Sequence, residues 1–364
     1  MFARLRLARS RRVGPATFRR LIAEHGTAQA ALDALPGIAA AAGAQGYRPA
    51  DEADIRAEAK AARKVDAKLL TLGGPGYPTR LSDVADAPPV LWVQGSTALL
   101  SRRCVAVVGT RNASSLALRM ARALGRDLAA AGVTVVSGLA RGVDAVAHSA
   151  SLEGGTVAVH AGGLDRVYPA EHAELATQIA ARGCNLSERP FGLSPHARDF
   201  PRRNRIVSGL AQAVVVVEAA ARSGSMITAR DAADQGREVL AVPGHPFDGR
   251  ASGCNLLLRD GATLVRGADD VLEVLDGLEA GDAPSPAPDP DPPAPEAPPT
   301  EVEAPEIRAR ILALLSPVPV AEDQLLRDLT EGGAVPAGAL AAHLSEMELT
   351  GEIARRAGGG LVRL

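Results

Sequence analysis

A short polar segment near the middle of the chain carries the side chains best suited to hold a charged ligand. Residues 198–205 read RDFPRRNR, so four arginines and one asparagine surround a phenylalanine: Arg198, Arg202, Arg203, Arg205, Asn204 and Phe200. A guanidinium group holds phosphate through paired hydrogen bonds, and an aromatic ring offers a face to an unpaired base. We therefore predict a polar loop that binds nucleic acid, with Asn204 bonding the backbone. The alternative is a set of solvated or ion-paired arginines with Phe200 in the core.

Three further segments suit phosphate because glycine, serine and arginine follow apolar runs there. They are GTRNASS from Gly109, SGLARG over Ser137–Gly142, and RSGS with Ser223, Gly224 and Ser225. Helix N-termini that follow such turns carry free N–H groups and partial positive charge. Glycine at strand–helix turns is equally typical of the fold alone, and capping accounts for residues 223–225 equally well.

The motifs of common cofactor users and enzymes are absent from the sequence. No GxxxxGK[ST] occurs, and no GxGxxG follows the first strand of the middle region. The three cysteines lie far apart and the seven histidines lack metal-ligand spacing. Asp144 and His148, at i and i+4, are interpreted as a structural hydrogen-bonded pair, and Glu218 as a group that orients arginines. We predict no metal, no cofactor and no catalytic residue.

The middle of the chain must position these segments. Residues 100–275 alternate short apolar runs, such as CVAVVG and AVVVVEAA, with helical patterns. Strands that are apolar on both faces are covered on both sides, which predicts a doubly wound parallel α/β sheet. In such sheets ligands bind beyond the carboxyl ends of the strands, where the glycine-rich turns fall.

The flanking regions differ from this middle in composition. Residues 1–70 predict a small helical domain whose second helix stops at Pro36-Gly37. Ten of the 26 prolines lie in residues 281–305, so we predict an extended acidic linker over 277–305. Beyond this linker, residues 306–364 predict three helices and a terminal hairpin. The α/β core is the domain between the helical region and the linker, residues 71–276.

Charge and hydropathy limit the classes of protein. Residues 1–72 carry 13 basic and 7 acidic side chains, whereas residues 276–364 carry 6 and 16. A polyanion is therefore expected to bind the first three quarters of the chain. No apolar run reaches the roughly 18 residues of a membrane span, no secretion signal is recognisable, and the isolated cysteines fit a reducing cytoplasm.

Several long motifs of the middle region resemble the DNA-processing protein A (DprA/Smf) family. They include VAVVGTRNAS, VVSGLARGVDAVAH, GGLDRVYPAEH, FPRRNRIVSGL and SGSMITARDAADQGREVLAVPG, in order over about 200 residues. The resemblance implies an extended Rossmann-like core, a SAM-like, helix-hairpin-helix-related N-terminal domain and a C-terminal winged helix. It also implies a homodimer that binds single-stranded DNA without enzymatic activity, protects incoming DNA in natural transformation and loads the RecA recombinase.

The resemblance also maps a binding pocket onto this sequence. Where many relatives read GSR, this chain has GTR and keeps a hydroxyl as Thr110. The predicted DNA-binding residues are Gly109, Thr110, Arg111, Ser137, Gly138, Arg141, Gly142, Arg198, Phe200, Arg202, Arg203, Asn204, Arg205 and Gly224. In the N-terminal domain, Arg19 and Arg20 serve either phosphate or packing.

The C-terminal winged helix is not expected to read DNA. A winged helix that reads DNA uses a basic third helix, but residues 337–350 contain no Lys or Arg. We predict that this domain packs on the core or contacts a protein, although Arg355 and Arg356 argue for a nucleic acid.

Two other functions compete with this interpretation. A nucleotide phosphoribohydrolase of the LOG type is distantly similar over residues 213–244. Its PGGxGTxxE motif is replaced here by AARSGSMITARD, with no acid in the equivalent place. A third possibility is a scaffold whose acidic tail recruits partners while the core holds a small nucleotide.

Overall fold

The computed structural model describes most of the chain. The described residues are 1–282, 304–315, 320–321, 324–325, 327, 329, 343–344, 346–348, 350, 352–355 and 360–363. They belong to two compact units, Met1–Ala283 and Pro284–Leu364. The predicted linker falls largely on residues 283–303, which lie outside the described residues, and its predicted ends are helical at Asp282 and Ala304.

The elements alternate along the chain as the sequence pattern predicts. The helices are α1 Phe2–Arg9, α2 Pro15–His25, α3 Ala28–Ala41, α4 Glu52–Lys64, α5 Thr79–Ser82, α6 Ser115–Ala130, α7 Val143–Ser151, α8 Ala173–Arg182, α9 Asp199–Leu210, α10 Gly224–Asp234, α11 Ser252–Arg259, α12 Ala268–Asp282 and α13 Ala304–Leu314. The strands are β1 Lys68–Thr71, β2 Val90–Gly95, β3 Cys104–Val108, β4 Thr134–Ser137, β5 Thr156–Val159, β6 Cys184–Ser187, β7 Ala213–Val216, β8 Glu238–Ala241, β9 Thr263–Leu264, β10 Val320–Ala321, β11 Ile353–Arg355 and β12 Gly360–Arg363.

Nine strands form one twisted sheet in the order β1-β2-β6-β5-β4-β3-β7-β8-β9. From β6 to β9 all pairs are parallel, so the predicted doubly wound α/β class is confirmed. The sequence did not predict that β1 and β2 continue this sheet as antiparallel strands. Such antiparallel edges are common on otherwise parallel sheets.

Helices cover both faces of the sheet. On one face, buried side chains of α9 and α10, such as Ile206 and Met226, pack against Ala106 and Val214. On the other face, α6, α7 and α12 pack against the alternate residues of β3 and β7. Every residue of β3 and β7 is therefore buried, which explains why their sequences are uniformly apolar.

The N-terminal helices differ from the prediction in number and extent. Helix α1 was not predicted, and α3 continues through Pro36 to Ala41 instead of stopping there. Proline removes one helical hydrogen bond, but Leu32 and Leu35 are buried in the N-terminal core and hold the helix across this site. Arg19 donates to the carbonyl oxygens of residues 82 and 84, at 2.7 Å each, and so serves packing.

The N-terminal helices are joined to the sheet by a buried carboxylate. Glu58 of α4 accepts a 2.6 Å hydrogen bond from the indole Nε1 of Trp92 and a 2.8 Å bond from Arg9. Leu5 and Ile55 pack in the same apolar cluster as Trp92. The helical region and the sheet consequently share a core, and the predicted boundary at residue 70 falls inside β1.

Helix α9 corrects the prediction of a loop in the RDFPRRNR segment. The chain is helical from Asp199 to Leu210. Arg203 and Arg205 are both buried there, so charged residues occupy positions that an amphipathic pattern assigns to apolar ones. That exchange hides the helix from an analysis of hydrophobic periodicity.

The C-terminal unit contains α13 and a three-stranded antiparallel sheet in the order β10-β12-β11. Strands β11 and β12 form the predicted terminal hairpin. Most of the other two predicted helices lies outside the described residues, as does Arg356. Over the described part of the chain, no helix is long and apolar enough to cross a membrane.

Candidate nucleic-acid interface

A cavity of about 510 Å³ opens at the carboxyl ends of β3 and β4. The turn after β3 and the turn after β4 form one side, and the first turns of α9 and α10 form the other. This is the edge at which the sequence places the glycine-rich turns, because carboxyl ends of parallel strands meet there. The predicted residues on its lining are Gly109, Thr110, Arg111, Gly138, Phe200, Arg203, Asn204 and Gly224.

Arg111 and Phe200 line this cavity, and they also line a small adjoining cavity together with Tyr168. We call these three residues the mouth. The guanidinium carbon of Arg111 lies 5.0 Å from the centre of the Phe200 ring. The Tyr168 ring lies 5.4 Å from the same ring and is 51% exposed. Among the described residues, Arg111 has no ion-pair or hydrogen-bond partner for its side chain. The mouth thus presents an unpaired cation beside two aromatic rings.

Arg203, Asp144 and Gly138 form the floor. Arg203 is 6% exposed and donates a 2.8 Å hydrogen bond to the carbonyl oxygen of Val159. Burial lowers the pKa of Arg203 to about 10, against the opposing charge of Asp144, so the guanidinium stays charged at neutral pH. Burial likewise raises the pKa of Asp144, which the Arg203 charge and the N–H groups of Ala140 and Gly138 oppose.

Two glycines let the backbone of the floor come close to its neighbours. A Cβ atom at Gly138 would overlap the guanidinium of Arg203. Gly142 has a φ of 77°, in the left-handed region, and a Cβ there would overlap the carbonyl oxygen of Thr110. Side chains at either position would change the shape of the floor.

The N-terminus of α10 completes the wall. Asn204 donates to the carbonyl oxygen of Gly224 at 3.4 Å, and Ser225 donates to that of Gly109 at 2.7 Å. The buried hydroxyl of Ser223 has no hydrogen-bond partner in the described structure. The first N–H groups of a helix favour an anion, so this wall suits phosphate.

Six of the predicted residues lie outside the cavity lining: Ser137, Arg141, Gly142, Arg198, Arg202 and Arg205. Arg141 and Glu171 form a two-bond ion pair at 2.7 and 2.8 Å beside the mouth, and Gly142 sits behind the turn after β3. Ser137 is buried and donates to the carbonyl oxygen of Val107. Arg198 and Arg202 are exposed at the start of α9, outside the lining.

Arg205 lies on another side of α9 and is committed to structure. Its guanidinium contacts Glu188 at 2.5 Å and the Asp86 carboxylate at 3.2 Å. It also donates to the carbonyl oxygen of Asp86 at 2.6 Å, and the residue is 9% exposed. These contacts hold Arg205 away from the cavity, which corrects its assignment to DNA binding.

Two other interpretations from the sequence are wrong. Asp144 and His148 share α7 but do not bond each other, because Asp144 caps backbone N–H groups while His148 Nδ1 contacts Thr156 Oγ1 at 2.7 Å. In the described part of the chain, Glu218 forms no hydrogen bond or ion pair with an arginine: it accepts hydrogen bonds from the backbone N–H and the hydroxyl of Ser114, at 2.9 and 2.6 Å.

Sequence reasoning also missed Tyr168. Its signal was present in the glycine-containing run AGGLDRVYP, residues 161–169, which follows β5 at the same edge of the sheet. An aromatic residue on a loop at a ligand edge is a candidate for stacking. No group of three or more His, Cys, Asp or Glu residues with metal-binding geometry occurs in the described parts of the chain.

Three family models match the chain. The model described as DNA recombination-mediator protein A matches residues 68–276. The DprA-like N-terminal HHH domain matches residues 1–61, and the DprA winged helix domain matches residues 283–359.

Curated relatives and solved structures agree with these matches. Protein Smf of Escherichia coli (strain K12) is 40% identical over 292 residues, which are 79% of this chain and 75% of that protein. DNA processing protein DprA of Bacillus subtilis is 40% identical over 216 residues, 58% of this chain and 73% of that protein.

DprA of Streptococcus pneumoniae superposes with a TM-score of 0.63 at 32% identity, covering 75% of this chain and 97% of that one. DprA of Helicobacter pylori, in a structure described for its single-stranded DNA binding mode, superposes with a TM-score of 0.53 at 30% identity. The match covers 58% of this chain and 96% of that one. With a family model over more than half of its length, this chain belongs to the DNA recombination-mediator protein A (DprA) family.

Proposed function

We propose that this protein binds single-stranded DNA in the cavity, protects incoming strands and passes them to the RecA recombinase during natural transformation or recombination. The observation that carries the proposal is the unpaired guanidinium of Arg111 beside the Phe200 ring at the mouth. Such a pair offers a cation to a phosphate and a flat face to a base, which is how proteins hold single strands with little sequence preference.

The charges of α9 support the same proposal. Arg198 is the N-cap of α9 and Arg202 ends its first turn, which also contains the buried Asp199. The Asp199 carboxylate is ion-paired with Arg189 at 3.2 Å. Arg198 and Arg202 are exposed and so available to a phosphate backbone, and the positive end of a helix also favours an anion. Paired bases cannot stack on a side chain, so duplex DNA is expected to bind more weakly.

We further propose that the protein acts without catalytic turnover, as a cytoplasmic homodimer. Among the described residues that line the cavity, Asp144 is the only carboxylate. It is buried and holds backbone N–H groups, which leaves it poorly placed for hydrolysis of a nucleotide. The homodimer and the contact with RecA rest on the family resemblance, and no residues are assigned to either.

The test is fluorescence anisotropy with labelled single-stranded and duplex oligonucleotides over a salt series. We expect Arg111→Ala to weaken single-strand binding about tenfold and to reduce the salt slope by about one, because one phosphate contact is lost. Arg126→Ala is the matched control, since Arg126 is exposed near the opposite end of α6 and contacts Asp127. Equal affinity of wild type and Arg111→Ala would contradict the proposed site.

Hydrolysis of nucleoside monophosphates by the same protein would instead support the phosphoribohydrolase alternative. Release of free base is the readout of that assay.

A further inference from the structure

A second cavity, of about 570 Å³, lies on the other side of the turn after β3. It is formed by the first turns of α6, the ends of β7 and β8, and the loop before α11. Asn112 lines the first cavity and Ser114 lines the second, so one residue, Ala113, separates the two linings along the chain. A strand that leaves the first cavity past Arg111 therefore needs to cross only this turn.

An exposed aromatic residue flanks the second cavity. Phe247 is 95% exposed, and its ring contacts only that of His245, at 5.6 Å between centres, in the described structure. A phenylalanine so fully in water contributes little to the core. The neighbouring Leu116 is 73% exposed and lines the cavity, so apolar surface is available there for a flat ligand.

One cation on the lining of this cavity, Arg119, is without a partner in the part of the chain that the structure describes. Arg119 of α6 makes no ion pair or hydrogen bond with any described residue, although it lines the cavity and is exposed. Arg266, also on the lining, contacts Asp270 at 2.6 Å. Arg119 is thus positioned to contact a phosphate.

The carboxylates of this cavity are already engaged. Glu218 accepts two hydrogen bonds from Ser114 at the N-terminus of α6. Asp248 accepts hydrogen bonds from the backbone N–H and the guanidinium of Arg250, which lower its pKa. Their negative charges are offset locally, so they oppose an approaching phosphate less than free carboxylates would.

We propose that the second cavity holds the nucleotides that flank those in the first cavity on the same DNA strand. A base stacks on Phe247 and Arg119 contacts a phosphate. This inference rests on the proposed function and extends it by a second platform on the other side of the turn after β3. The inference is carried by the closeness of the two cavities along the chain at that turn, and by an aromatic ring and an arginine without a partner among the described residues at each of them.

The test compares short and long oligonucleotides on the full chain. We use dT oligomers of about 5 and about 15 nucleotides, since site sizes on such proteins span about 4–16. Phe247→Ala and Arg119→Ala should weaken binding of the long oligomer about tenfold and leave that of the short one unchanged. Arg122→Ala is the matched control, because Arg122 is exposed on the same helix but lines another groove.

The same assay separates the two proposals. Arg111→Ala should weaken the binding of both oligomers. If that variant binds both oligomers with the affinity of the wild type, the proposed function is contradicted. If Arg111→Ala weakens both but Phe247→Ala leaves the long oligomer unchanged, the second platform is wrong and the first remains. Phe247 has almost no packing to lose, so its variant should fold as the wild type does.

A photochemical measurement gives direct support. Long oligomers carrying 5-iododeoxyuridine at one flanking position should crosslink to Phe247, identified by mass spectrometry of the peptide, and Phe247→Leu should lose the crosslink. If Phe247→Ala instead changes only self-association in analytical ultracentrifugation, the surface joins copies of this chain and the inference is overturned.

Discussion

The floor and the mouth of the first cavity each present an arginine, but the surroundings of the two side chains differ. Arg203 in the floor is 6% exposed, donates to Val159 and faces Asp144. Arg111 at the mouth is exposed and lies over the Phe200 ring, with no hydrogen bond or ion pair from its side chain to the residues that the structure describes. The comparison teaches that residue type alone does not reveal a role: burial and existing partners decide whether an arginine builds the site or is free to bind.

The largest effect is expected from Arg203→Ala in the floor. The substitution leaves the Val159 carbonyl oxygen without its donor and Asp144 without a nearby cation. We expect the free energy of unfolding to fall by about 2–4 kcal/mol, measured by urea denaturation. If the variant loses DNA affinity but keeps its stability, Arg203 binds the ligand as Arg111 is proposed to do, and the contrast between floor and mouth is wrong.

Gly138→Ala is expected to have the next largest effect. The new methyl group overlaps the Arg203 guanidinium, so the floor must shift, at a cost of about 1–3 kcal/mol in unfolding free energy. Gly224→Ala is the matched control in the same cavity, because a Cβ there meets no atom within 4 Å. The two variants differ in what the added methyl group meets, and equal stabilities would refute the overlap.

Acid pH should lower the stability of the fold through two buried histidines near the floor, His148 and His160, without acting on the residues of the mouth. Burial lowers the pKa of His148 to about 3 and that of His160 to about 4. Both folded values lie below the ordinary value of about 6.5, so unfolded chains bind more protons in this range. Stability is therefore full above about pH 6.5 and declines below it, by about 1.4 kcal/mol per pH unit for each proton.

Urea denaturation of wild type and His160→Gln at pH 7 and at pH 5 checks this expectation. The first pH lies above, and the second within, the range between the folded pKa of about 4 and the ordinary value of about 6.5. In the variant, the change of unfolding free energy with pH should be smaller by about 1.4 kcal/mol per pH unit, the contribution of one proton. Parallel curves for the two proteins would show that His160 is not protonated on unfolding.

The smallest effect is expected from Tyr168 at the mouth. Tyr168→Ala removes the ring beside Phe200 and should weaken single-strand binding severalfold, by about 1 kcal/mol, with stability unchanged. Tyr168→Phe keeps the ring and should bind as the wild type does in anisotropy titrations. Weaker binding by the Phe variant would assign the effect to the hydroxyl rather than to stacking.

Much of the core could be predicted from the sequence because its signals are local. Apolar runs such as that of β3 identify buried strands, and glycines mark the turns that meet at one edge. The pattern of strands and the rule for parallel sheets are enough to place the turns after β3 and β4 at one edge. That Arg111 and Phe200 belong to one site is implied by the family resemblance and not by the pattern of strands.

Other features depend on contacts between distant residues and could not be predicted in this way. Helix α9 is hidden because Arg203 and Arg205 take buried positions, with partners from β5, the segment after β6 and the loop before β2. The same contacts decide that Arg205 is structural. Asp144 and His148 have the right spacing to pair, but Asp144 accepts hydrogen bonds from the turn after β4 and His148 contacts Thr156 of β5.

The buried hydrogen bonds of Glu58 bear on how the protein can be divided for study. The matched N-terminal domain ends at residue 61 and the central one begins at residue 68, which suggests a place to cut. A fragment starting there would lose both Glu58 and Leu5, leaving the Trp92 indole without its acceptor and one side of β2 without its cover. Expression of the sheet alone would then yield an aggregation-prone fragment, so fragments meant to isolate the proposed DNA-binding cavity should begin at the first helix.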